Sequence, residues 1–146
     1  MTEPDNRYRL APVRATRIRD EHARRSDLAV AVGDAHATRS VLAAITRRVD
    51  AARARLGDAI LGRNALHATG ASRLALAERH VDRCRYELAA VVDELERATR
   101  THDDRLEIVD EARSRLTAAR AGRQVIERHF ERWREDRKRL AERRDD

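Results

Sequence analysis

Residues 74–140 read LALAERHVDRCRYELAAVVDELERATRTHDDRLEIVDEARSRLTAARAGRQVIERHFERWREDRKRL. Counted in sevens from Leu74, this stretch gives Leu74, Val81, Leu88, Leu95, His102, Val109, Leu116, Arg123 and Phe130. Counted from Ala77, it gives Ala77, Cys84, Val91, Ala98, Arg105, Ala112, Ala119, Ile126, Trp133 and Leu140. These rows are the a and d positions of one heptad register, polar only at His102, Arg105 and Arg123. No proline interrupts them, and Gly122 is the only glycine. A repeat with so narrow an apolar seam predicts a long coiled-coil helix, not the broad apolar face of a helix in a globular domain. At about 1.5 Å per residue such a helix is roughly 100 Å long. A rod of that kind encloses no catalytic pocket, so the expectation is a non-enzymatic protein with no cofactor.

Composition agrees with this reading. Charged residues make up 40% of the 146 and aromatic residues 3%, which does not suit a compact α/β fold. Alanine, leucine, arginine and glutamate dominate, as in long helices. The single cysteine, Cys84, forms no disulfide within the chain and suggests a reducing compartment. The longest apolar runs, Leu28–Val32 and Val41–Ile45, are far shorter than a bilayer span. No secretory leader pattern is present, so the expectation is a cytosolic protein, free or peripheral to a membrane.

Earlier in the chain, residues 1–6 are polar, and residues 1–10 are expected to fray. Pro12 suits the first turn of a helix because its missing N–H costs nothing there. A second seam follows: Leu28, Ala35, Leu42, Val49 and Leu56 in one row, Ala31, Thr38, Ile45, Ala52 and Ala59 in the other. Extended backwards, this register meets Glu21, Arg14, Arg24 and Arg17, so the first turns of helix 1 are expected to pack in another register or poorly. Gly57, Gly62 and Gly70 mark a break. The expected organisation is one all-α domain: helix 1 over 11–56, a loop over 57–71 with Ser72 as cap, and helix 2 over 72–143. The helices form a long antiparallel hairpin, with helix 2 extending past helix 1.

Folding at Gly62–Gly70 sets Leu42 near Leu88, Leu28 near His102 and Pro12 near Ala118. Residues from about Ala119 to Asp146 then overhang without a partner in their own chain. The overhang carries Phe130, Trp133 and Leu140 on the apolar stripe, among Arg132, Arg134 and Arg137. Aromatic anchors set among arginines are the composition of an interface hot spot, so these six residues are the candidate partner-binding site. Arg7–Arg25 holds seven arginines against two acids, and Arg123–Arg144 nine basic residues against five acidic. Both basic segments fall at the open end of the hairpin. His102 and Arg105 read as a polar layer that fixes register. His80 and Cys84, at i and i+4, lack a third metal ligand and read as a surface histidine and a core cysteine. No phosphate loop and no nucleophile–base arrangement appears.

Two stretches carry a family likeness. Tyr8-Arg9-Leu10-Ala11-Pro12-Val13, leading into an arginine- and alanine-rich helix, and Glu131-Arg132-Trp133-Arg134-Glu135-Asp136-Arg137-Lys138-Arg139-Leu140 near the other end resemble the FliJ family of flagellar export proteins and its YscO-like type III secretion relatives. The resemblance implies a non-enzymatic coiled-coil component of the flagellar export apparatus, acting as a stalk for the export ATPase. It implies as partners the export ATPase ring, the membrane protein of the export gate and export chaperones, and a place at the cytoplasmic face of the cell membrane. A basic coiled coil binding nucleic acid or an anionic surface is the alternative, since the net charge is +6. Interleaved acids and the lack of an unbroken basic stripe argue against it. A homo-oligomeric structural coiled coil is the third reading.

Overall fold

In a computed structural model of the chain, residues 7–66 and 70–145 are described, without the side chain of Asp145. They form two helices and no strand: α1, Ala11–Asn64, and α2, Ala71–Asp145. The architecture is an all-α helical hairpin. Its contacts fall into two compact units, one of Gly33–Glu107 and one of Met1–Val32 with Ile108–Asp146.

Helix α1 starts where Pro12 allows. The N–H of Arg14 donates to the carbonyl of Leu10 at 2.9 Å, so Leu10 takes the cap position and Pro12 lies in the first turn. It ends later than expected. Residues 57–64, read as loop, are helical, and Gly57 and Gly62 have ordinary helical backbones with no positive φ. Each glycine costs roughly 0.5–1 kcal/mol relative to alanine inside a helix. That cost is offset because Ala59 continues the seam and packs with Val81, Cys84, Leu56 and Ile60. Arg63, in the last turn, suits the negative end of the helix dipole. Helix α2 starts at Ala71 with Gly70, not Ser72, as its cap: the carbonyl of Gly70 accepts from the N–H groups of Arg73 and Leu74. The part of the expected loop at 67–69 lies outside the described residues.

In the unit Gly33–Glu107 the pairing is antiparallel. Arg48 donates to Glu94 at 2.8 Å, and Thr38 hydrogen-bonds His102 Nδ1 at 2.8 Å. Val49 and Val81 are the most deeply covered side chains, 2% and 1% exposed, and Ile45, Ala52, Ala59 and Cys84 are buried with them. All belong to the a and d rows. The pairing nevertheless differs from the expectation: His102 meets Thr38, not Leu28, ten positions further along α1. The longer α1 accounts for this, because it moves the point where the chain turns. Arg105 accordingly lies 3.8 Å from Asp34, so the polar layer of His102 and Arg105 is matched by a threonine and an aspartate.

One 18-residue window of α1 has a mean hydropathy of 1.2 and passes the length-and-composition test for a membrane span. The two short apolar runs, Leu28–Val32 and Val41–Ile45, are separated in the sequence by eight residues that include the charged Asp34 and Arg39.

Candidate partner-docking site

The unit of Met1–Val32 and Ile108–Asp146 holds all six candidate residues, Phe130, Arg132, Trp133, Arg134, Arg137 and Leu140. Its core is again the seam: Ala31 on α1, and Val109, Ala112, Leu116, Ala119 and Ile126 on α2, are buried. The register of α1 holds in this unit as far back as Glu21; before it the pattern changes as expected, since Arg17, on the register, is exposed while Ala15 and Ile18, off it, are half-buried. The seam position at Glu21 is 6% exposed and is met by Arg123, the polar seam position of α2.

A charged layer forms there. Arg123 Nη1 donates to Glu21 Oε2 at 3.0 Å, Arg25 Nη2 donates to Glu21 Oε1 at 3.0 Å, and Arg120 Nε lies 3.8 Å away. Arg123 also reaches Glu127 at 4.0 Å, and Arg14 Nε donates to the same carboxylate at 2.9 Å. The hydrogen bond from Arg123 holds the Glu21 carboxyl below its ordinary value of 4.5; burial opposes this, and the charges of Arg123, Arg25 and Arg120 reinforce it. A carboxylate satisfied on both oxygens can occupy a seam position that would otherwise reject it. The polar seam position of each helix, Glu21 on α1 and Arg123 on α2, is thus the other's partner.

The aromatic residues are placed differently from the expectation. Phe130 and Trp133 are half-buried, because Tyr8 covers them. The Tyr8 ring lies 5.0 Å from Phe130, edge-on, and 5.3 Å from Trp133; Phe130 and Trp133 stack at 5.8 Å. The Tyr8 hydroxyl hydrogen-bonds His129 Nδ1 at 2.9 Å, and Tyr8 itself is 8% exposed. The guanidinium of Arg14 sits over the Phe130 ring at 4.5 Å, and that of Arg134 at 5.9 Å. The segment before α1, expected to fray, therefore includes a buried residue, while residues 1–6 lie outside the described part.

The overhang expected from Ala119 is shortened accordingly. Ala119 and Ile126 are buried, and Arg17 Nη1 lies 3.4 Å from where a Cβ on Gly122 would be. Beyond Trp133 the described side chains of α2 are exposed except Arg137, which is half-buried, and Leu140 is 50% exposed. Of the six candidates, Phe130 and Trp133 are engaged by Tyr8, and Arg132, Arg134 and Leu140 face solvent. The sequence reading missed Tyr8. An aromatic just ahead of a helix, in a chain with so few aromatics, was the available signal.

In the unit Gly33–Glu107, Cys84 Sγ lies 3.9 Å from His80 Nε2. The pair borders an open groove with Arg55, Asp58, Gly62 and Glu87. Among the described residues no third His, Cys, Asp or Glu joins them to form a metal-ligand set.

Compared with models of protein families, with curated proteins and with solved structures, the chain matches none.

Proposed function

We propose that this protein is a non-enzymatic coiled-coil component of the bacterial flagellar type III export apparatus. In this reading its hairpin serves as a stalk for the export ATPase ring, and the exposed end of α2 meets the ring, the export gate or an export chaperone. One observation carries the reading. The two stretches that resemble the FliJ family, Tyr8–Val13 and Glu131–Leu140, pack together, with Tyr8 against Phe130 and Trp133. Just past this contact, Arg134, Lys138, Arg139, Arg143 and Arg144 are exposed around Leu140. A stiff helix end of that composition suits an acidic protein surface, where charge speeds encounter and a single apolar anchor sets the seat.

The test is co-purification of the export ATPase, identified by mass spectrometry, from the bacterium that encodes the chain. The full chain is compared with a version ending at Trp133, which keeps the Tyr8 contact. The full chain should recover the ATPase and the shortened chain should lose it. Recovery of nucleic acid alone, or equal recovery by both chains, refutes the proposal.

A further inference from the structure

We infer that the face of α1 centred on Val41 is a self-association surface that receives the same face of a second copy in antiparallel orientation. Val41 is 56% exposed, and Ala37, Ala44 and Ala51 beside it are exposed too. They occupy the g and c heptad positions, adjacent to one another on the helix, with g bordering the seam packed on α2 and c lying further out.

The charges on this face give the partner its identity. Asp34 lies seven residues before Val41 and Arg48 seven residues after it, both at g positions. The two side chains are 55% and 54% exposed. A face with acid on one side of its centre and base at the same distance on the other is complementary to itself under a twofold axis through Val41. Asp34 then meets Arg48 of the second copy, twice over, and Ala37 comes beside Ala44 of the second copy. In the sequence, the same heptad step one repeat further out places Asp27 before and Arg55 after. A parallel pairing would set Asp34 against itself and Arg48 against itself, which repels.

The existing ion pairs are compatible with this arrangement. Arg48 already pairs with Glu94 at 2.8 Å, and Asp34 lies 3.8 Å from Arg105. The second copy would join these into an alternating row of Arg105, Asp34, Arg48 and Glu94. Alanine and valine permit the close helix spacing, about 8–10 Å, that such a row needs. From residue 34 to residue 48 the face spans only roughly 21 Å of helix. The dimer should therefore be concentration-dependent and weakened by salt.

The surface is separate from the docking end proposed above, and either reading can fail without the other. Sedimentation velocity of the full chain over a concentration series, with circular dichroism to verify helicity, tests it. The wild type should rise from 16.7 kDa towards twice that mass. Asp34→Arg and Arg48→Asp should each weaken dimerisation by about tenfold or more, since two attractive pairs become repulsive. Mixing the two variants, or combining both substitutions in one chain, should recover most of it, since the pairs between copies are attractive again while the weak, exposed pairs to Arg105 and Glu94 within each hairpin are lost. Ala44→Glu, at an exposed position, should abolish it without loss of helix. A wild type that stays at 16.7 kDa at every concentration overturns the inference. So does a charge-reversed variant that dimerises like the wild type, or a double variant that is helical yet monomeric.

Discussion

Tyr8→Ala separates the local contact from the global fold. A buried tyrosine removes about 150–250 Å² from water. At about 25 cal/mol per Å² this gives roughly 4–6 kcal/mol, and the hydrogen bond to His129 adds about 1 kcal/mol. Holding the backbone of residues 7–10 against α2 costs about 1–2 kcal/mol per residue, or roughly 4–8 kcal/mol. The docked segment is thus balanced to within about 3 kcal/mol, and Tyr8 supplies most of the favourable side. Removing its ring should release the segment, while the rest of the seam, from Glu21 through Ile126, stays paired. The thermal midpoint should fall by only a few degrees, since about 1 kcal/mol corresponds to roughly 2–4 °C at this size. Trp133 should respond far more. It is the only tryptophan, and without Tyr8 its emission should move to the red and acrylamide should quench it more readily. Tyr8→Phe should keep the ring packing and the emission, losing only the bond to His129. If Tyr8→Ala leaves emission and quenching unchanged, Tyr8 does not cover Trp133 in solution and the account of the aromatic cluster fails.

Three further outcomes are expected. Val49→Asp places an unpaired charge at a side chain 2% exposed and should cost more than about 4 kcal/mol, whereas Glu94→Ala, which breaks a largely exposed pair with Arg48, should cost about 1 kcal/mol or less; equal melting curves by circular dichroism would refute the seam. Gly57→Ala and Gly62→Ala, with open space within 4 Å of the added Cβ, should each raise stability by roughly 0.5–1 kcal/mol in urea melts; a loss would show that the backbone there is not helical. The lowered pKa of Glu21 means that its folded form binds a proton less readily than its unfolded form, so its contribution is present above the ordinary value of 4.5 and is lost as pH falls through the lower folded value. Glu21→Gln should therefore be less stable than the wild type at neutral pH, with the gap closing below pH 4.5; a gap independent of pH would remove Arg123 as the cause.

Both seams were legible from the sequence, because heptad spacing directly reports which side chains face the other helix. The residues buried in each unit, from Ala31 to Ala59 and from Val81 to Ile126, are those of the a and d rows. Pairing between the rows was not legible. It depends on where the chain turns, and Gly57 and Gly62 resembled a break although Ala59 kept the period running through them. That one misreading displaced His102 by ten positions and lengthened the expected overhang. Glu21 and Arg123 were visible singly as charges in an apolar row, but only the correct pairing sets them side by side. Tyr8 lies outside any periodic segment, so periodicity had nothing to say about it.

The contact between Tyr8 and His129 spans 121 positions of sequence. During synthesis the amino-terminal end leaves the ribosome first, and its aromatic partners follow more than a hundred residues later. Throughout that interval the Tyr8 ring has no shelf to cover it, although Thr38 and His102, 64 positions apart, can already have met. Closing the wider loop adds little entropy cost, since doubling its length costs only about 0.6 kcal/mol more. The delay is one of order rather than of stability. A released chain ending before Phe130 should present Tyr8 to solvent and to proteases, and one ending after Trp133 should not.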